Sequence, residues 1–470
     1  MWGEPRGYLL PWAALAVVVC LLPLVIESRR RSFDLYQPLV YAAWSHVLPI
    51  YVFGGFAFAN GWRNGFEYLI PTPERTLPDT MGYVCVGFLS LYAGYYLPWA
   101  RRAGAALRRW LPARQWAPNV VLGPGILLIV LAIGLLILMF RVGLAGFQTT
   151  GEVGSFDAAL SIGMSTIGLT ATSLVWLGVF QSSRRTPMVV AGIVAAVGWV
   201  AAETFLTGRR GGLVISLVFA GAAFWLSGRR VRLKHAALIG AAGACAIVVG
   251  VLYGTTFRVV KGTEERVTFE RYMALTRLTF DTIAERGLGG NAAYALLHVT
   301  GRLAEDFGDV AVIIGNYKRL EPFEAEYGLN NNIISSLGSA LIPRALWPDK
   351  PLVSDPRAIG LLYFRYNNSY AVTPIADLIR NFGPLGIPVG MAFLGFLLRV
   401  VYAALIEDQP RSIWRVTAYI VILSNVSYES FYGSIVQTVL RAAVILAVTL
   451  VGVNLVVRRG SAAAKLEVKT

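Results

Sequence analysis

Eleven apolar runs, each of about twenty residues, follow one another along this chain, and about twenty is the length a helix needs to cross the hydrocarbon of a bilayer. They lie at 8–26, 37–59, 80–98, 119–140, 158–180, 187–206, 212–227, 235–254, 385–405, 412–428 and 436–457. With 56% of its residues hydrophobic and only 15% charged, the chain carries more apolar surface than a soluble domain can bury. The expected fold is an all-α polytopic membrane protein with about eleven transmembrane helices. Cys20, Cys85 and Cys245 all sit inside apolar runs, which excludes a disulfide framework and a clustered thiolate metal site.

Charge orients these runs. The first lacks a net-positive start and a small-residue cleavage site, so it is expected to remain as a span, and the "ESRRRS" behind it sets the N-terminus outside. Alternation then puts 27–34, 101–114, 181–187, 228–235, 406–415 and 458–470 in the cytoplasm. Those segments hold 20 Lys/Arg against 5 Asp/Glu, the whole of the +15 net charge, and the remaining 22 basic and 22 acidic residues cancel. That segregation is the positive-inside pattern, so the basic excess reports orientation and calls for no nucleic-acid partner.

Three parts follow: an N-terminal bundle of eight spans (1–254), an extracytoplasmic helical cap loop (255–383), and three C-terminal spans with a cytoplasmic tail (384–470). The loop carries 14 basic and 14 acidic residues, a balance expected of a folded cap. "EERVTFERYMALTRLTFDTIAERG", "NAAYALLHVTGRLAEDFG" and "GDVAVIIGNYKRL" read as successive helices with glycine stops. The tail "RRGSAAAKLEVKT" reads as disordered. No internal repeat relates the first eight spans to the last three.

Ionisable residues on the outer side carry the functional reading. "FLTGRRGGLVISL" puts Arg209 and Arg210 in a glycine-flanked hinge between two spans. Two readings fit: arginines snorkelling to lipid headgroups, or an anion site where backbone N–H groups, a helix N-terminus and two guanidiniums grip a diphosphate. In "NNNIISSLGSALIPRALWPDKPLVSDPRAIG", prolines and glycines fix a frame that aims Arg344, Lys350 and Arg357, while Trp347 suits an interfacial anchor. "TPIADLIRNFGPLG" then brings Asp377 and Arg380 to the next span. A base for an acceptor hydroxyl would come from Glu203, His298, Glu305, Asp306, Asp377 or Glu429. Glu203, one turn before the hinge, equally suits an ion pair with Arg209 or Arg210. Tyr428 beside Glu429 suits sugar stacking or an aromatic belt, and Arg441 inside the last span needs a partner. No acidic metal-binding run stands outside, so the expected chemistry uses arginines in place of a divalent cation, with no cofactor.

"LIPRALWPDKP" in a large outer loop, "DLIRNFGPLG" before the last spans and the "GRRGG" hinge resemble the oligosaccharide repeat-unit polymerases, the O-antigen polymerases of the Wzy type. Motif-level likeness is confined to about 330–400 and the hinge. Asp377 stands where that family carries Glu, and Ile379 replaces its aromatic residue. The resemblance implies a GT-C-like membrane glycosyltransferase in the cytoplasmic (inner) membrane, working on its periplasmic face. It would move a growing glycan from undecaprenyl diphosphate onto an incoming lipid-linked repeat unit, building O-antigen of lipopolysaccharide, capsule or exopolysaccharide. A chain-length-determining co-polymerase would be its partner. A ligase transferring finished polymer to a lipid core shares most of these features. A glycan-lipid flippase would instead show internal repeats and broken helices.

Overall fold

The computed structural model describes residues 3–467 apart from 63–64, 114, 142–154, 184–185, 208–211, 230–232, 263–267, 340–341, 343–346, 348–353, 368–369, 371 and 408–410. Within the described residues the chain is helical and contains no β-strand. Backbone N–H and C=O groups placed in lipid must be satisfied within the segment, which is what a helix does. In chain order the helices are α1 (Leu10–Arg29), α2 (Pro38–Ala59), α3 (Pro73–Tyr95), α4 (Pro98–Arg108), α5 (Pro118–Arg141), α6 (Ser155–Gln181), α7 (Pro187–Thr207) and α8 (Gly212–Leu226). They continue with α9 (Leu233–Lys261), α10 (Phe269–Leu320), α11 (Asn332–Ser339), α12 (Pro356–Ile359), α13 (Pro374–Phe382), α14 (Gly386–Leu405), α15 (Ile413–Ser424) and α16 (Tyr432–Glu467).

Eight of these, α1, α2, α5, α6, α7, α9, α14 and α16, are long and apolar enough to cross a membrane. The other three expected runs are also helical. α8 and α15 are shorter apolar helices, and α3, which starts in the charged "PERTLPDT", is the more polar of the three. The protein is therefore a polytopic helical membrane protein. α2 departs from regular winding: Ala43–Phe53 is a π-helix with Pro49 inside it. Proline removes a backbone donor, and the widened turn takes up the missing bond.

The 255–383 loop differs in part from its expected form. In place of three short helices, α10 is two helical stretches. The second runs unbroken through Gly308, one of the two expected stops, and the stretches meet at a kink at the other, Gly287 (φ 65°, ψ 176°). That left-handed conformation is one glycine adopts without penalty. Gly301 and Gly315 stay inside the helix, because packing outweighs the roughly 1 kcal/mol that a helical glycine costs. A Cβ on Gly315 would come within 2.6 Å of Pro71 Cδ, so the missing side chain lets α10 press on the loop before α3. Upstream, α9 runs on to Lys261, past the expected start of the loop. At the other end α16 continues to Glu467, where a disordered tail was expected. Its alanines, Ala462–Ala464, are the strongest helix formers and carry the winding on.

The bend divides the packing of α10. Tyr272 and Leu275, before it, join Tyr253 and Phe257 of α9 and the buried faces of α5, α6 and α7. Ala304, Phe307, Val310 and Ile313, beyond it, join the main core with α1–α3, α14 and α15. Leu329, Ile359, Tyr363, Ile375 and Ile379 belong to that same core, so much of the loop packs into the bundle.

α3 and α14 meet at backbone distance. A Cβ on Gly94 would collide with the Ala392 carbonyl, and one on Gly395 with the Leu91 carbonyl. Small residues are what allow helices to approach this closely in lipid. Gly395→Val should lower stability by about 1–3 kcal/mol or more, read as melting temperature in detergent. Gly134→Val, whose Cβ meets nothing within 4 Å, is the control expected to melt like the parent.

Candidate functional site

A polar cluster enclosed by the main core gathers around α13. Thr373 caps this helix by accepting from the Ala376 N–H at 3.3 Å, and Gly383 ends it at φ 67°. Three residues apart on one face, Asp377 and Arg380 point inward, both side chains at 0% exposure. The Arg380 guanidinium donates to Glu324 Oε2 (2.8 Å), the Leu329 carbonyl (2.9 Å), Asn332 Oδ1 (2.7 Å) and Asp377 Oδ1 (2.8 Å). Asp377 also accepts from Asn332 Nδ2 (3.1 Å), Asn381 Nδ2 (3.1 Å) and, through Oδ2, the Tyr432 N–H that opens α16 (2.9 Å). Glu324 accepts from the Tyr363 hydroxyl at 2.7 Å. One cation thus holds two carboxylates from separate segments.

Burial raises the pKa of Glu324, and Arg380 counteracts only part of that effect. For Arg380 burial opposes the charge, but Asp377 and Glu324 more than offset it, so its pKa is raised. The folded protein therefore binds the Glu324 proton more tightly than the unfolded chain does. The stabilisation that results is fully present below the ordinary value of 4.5 and is lost as pH rises through the raised one. Melting temperature should fall over that interval, and Glu324→Gln should flatten the fall.

Beside this network, α10 carries Glu305, Asp306 and Asp309, with Asp306 3% and Asp309 1% exposed. Tyr51, from the π-helical stretch of α2, lies within electrostatic reach of Asp306 and Glu429. Tyr370 faces Asp309 and Glu305; burial, and then their negative field, pushes its hydroxyl up to about 12. Its ring stacks on Phe364 at 4.0 Å, and Phe66 meets both edge-on. Carboxylates beside hydroxyls and flat aromatic faces can orient a polyhydroxylated ligand and accept a proton from it.

His46 of α2 was not among the residues singled out by sequence. It is 5% exposed, its ring lies 5.2 Å from that of Tyr428, and its Nε2 makes no hydrogen bond among the described residues. The signal was present as "SH" in the middle of an apolar run, where a polar side chain is costly.

The structure distributes the expected site residues unevenly. Arg209, Arg210, Arg344 and Lys350 lie outside the described residues. Asp377 and Arg380 are together, sealed from solvent. Tyr428, 4% exposed, packs between His46 and Phe88. Trp347 is 39% exposed, and Arg357 is half-buried in α12, its backbone N–H donating to Asp355 at 2.9 Å. Arg441 is half-buried in α16. His298 stands on α10 two turns before Asp306, its ring 4.3 Å from that of Tyr294, over which Arg286 sits at 4.0 Å. Glu203 belongs to α7, which packs on α5, α6 and α8, and its carbonyl accepts from the Thr207 hydroxyl at 2.6 Å. Among the described residues no three His, Cys, Asp or Glu side chains form a metal-binding group.

Comparison with protein-family models, with curated proteins and with solved structures finds no match to this chain.

Proposed function

We propose that the protein is a membrane glycosyltransferase that polymerises oligosaccharide repeat units carried on a polyprenyl diphosphate, at the outer face of the cytoplasmic membrane. One observation carries the reading. The "DLIRNFG" helix, part of the resemblance to repeat-unit polymerases, packs directly on α10, the helix that carries Glu305 and the buried Asp306 and Asp309. Ionisable groups within a membrane bundle are costly and mark function.

In this reading a carboxylate, Asp306 foremost, takes the proton of an acceptor hydroxyl. The acceptor oxygen forms a bond to the anomeric carbon while that carbon's bond to the diphosphate oxygen breaks. The diphosphate departs with its polyprenyl tail. Arg209, Arg210, Arg344 and Lys350 supply the positive charge that meets it, since preorganised donors at a developing anion lower the barrier most. The Arg380 network has the positioning part, fixing α13 against α11, α16 and the segment between α10 and α11.

The test is the glycan pattern on lipid-linked oligosaccharide in a strain lacking the gene, with and without the intact copy. Single repeat units attached to core, with the ladder restored by the gene, support a polymerase. Unattached long polymer in the deletion strain would make it a ligase. An unchanged ladder removes the glycan reading altogether.

A further inference from the structure

On the arginine-rich side of the bundle, remote from the acidic cluster, lies an apolar cleft of about 390 Å³. Leu107 of α4, Leu405 of α14, Trp414 of α15, and Leu446 and Val451 of α16 line it. Asn454 supplies its amide and Arg458 its one charge, both at the arginine-side end of α16. We propose that this cleft holds one acyl chain of an anionic phospholipid from the leaflet on the arginine-rich side, with the phosphate at Arg458 and Arg108.

Length argues for a lipid chain. The lining residues of α16 run from Ala443 to Arg458, an axial distance of about 22 Å at 1.5 Å per residue. The apolar part, Ala443 to Val451, covers about 12 Å of that, which lies within one leaflet of a hydrocarbon core about 30 Å thick, and Asn454 and Arg458 carry the cleft on to the headgroup layer. A partner's transmembrane helix would need a groove across the whole thickness.

Charge selects the headgroup. α4 carries Arg101, Arg102 and Arg108 along with Trp99, 70% exposed, and it is followed by Arg109 and Trp110, 86% exposed. An amphipathic helix with exposed tryptophans and arginines lies in the headgroup layer. A Cβ on Gly104 would come within 2.7 Å of the Val400 carbonyl, so α4 sits tightly across the end of α14. Arg108 donates to the Glu407 carbonyl at 3.1 Å and Arg415 to the Pro112 carbonyl at 3.1 Å. These bonds hold the two guanidiniums close enough to repel one another, and a phosphate beside them relieves that repulsion. The inference stands apart from the glycan reading, since it uses no residue of the acidic cluster.

Native mass spectrometry of the full-length protein in detergent tests it, with phosphatidylglycerol and phosphatidylcholine of identical chains as probes. Phosphatidylglycerol should bind at least tenfold more tightly, because each arginine near an anionic headgroup contributes about fivefold. Arg108→Gln with Arg458→Gln should bring it down to the phosphatidylcholine level. Ala447→Phe, which fills the cleft from a partly exposed position on α16, should remove both lipids. Equal binding of the two lipids to the parent protein overturns the proposal. So does phosphatidylglycerol binding that survives Ala447→Phe, or a co-purifying polyprenyl phosphate or polypeptide that this substitution displaces. Should Ala447→Phe fail to fold, the arginine pair decides alone, and undiminished selectivity in that variant rejects the assignment.

Discussion

Arg380→Met should destabilise the protein by about 3–5 kcal/mol, the largest stability effect expected of any single substitution here. The cause is what remains after the guanidinium is gone. Glu324 and Asp377 would stay buried with their shared cation removed, and the Leu329 carbonyl and Asn332 Oδ1 would each lose a donor. Buried carboxylates without compensation cost far more than the same atoms replaced by apolar groups. Arg380→Lys keeps the charge but cannot reach four acceptors spread over three segments, so it should fall between the two. The triple variant Glu324→Gln, Asp377→Asn, Arg380→Met removes the charges together and should recover much of the loss. Melting in detergent and the yield of monodisperse protein measure all three. Arg380→Met that melts like the parent, or a triple variant no better than the single, would show that the network is not what holds α13 in place.

Asp306→Asn should lower polymerisation by about a hundredfold or more, the range a general base contributes, while leaving melting close to that of the parent. Asparagine keeps the shape and the hydrogen-bonding oxygen but cannot take up the proton. The distinguishing readout is turnover of a purified lipid-linked oligosaccharide under saturating substrate, so that kcat and KM separate. Loss in kcat alone fits a base; loss in KM alone fits a group that only holds the sugar. Tyr51→Phe, within electrostatic reach of Asp306, should give a smaller loss. If Asp306→Asn and Asp309→Asn both polymerise normally, the proton acceptor is not on α10, and Glu429, exposed at the turn before α16, takes precedence.

Much of the fold was legible because it is local. An apolar run of about twenty residues is a property of one stretch of chain, and each of the eleven runs coincides with a helix. Of the two glycine stops expected in the 255–383 loop, Gly287 does interrupt the helix, whereas Gly308 stays inside it, buried, for the opposite reason: packing against distant parts of the chain decides there. The acidic residues of α10 could be named from sequence, but their facing Tyr51 and Tyr370 could not, since those come from α2 and from the segment before α13. His46 lies inside an apolar run and carries no formal charge to mark it, and only the fold brings Tyr428 against its ring.

Hydrophobic length and charge content act over a single segment, so the helical membrane class and the segregation of positive charge into one alternating set of connecting segments follow from the residues alone. Tertiary structure alone decided which ionisable side chains meet. Arg380 finds Glu324 and Asn332 at separations of 56 and 48 residues, distances at which no periodicity survives. A charge buried in a low-dielectric core must be paired, and only the packing of α11, α13 and the segment between α10 and α11 against one another supplies the partners.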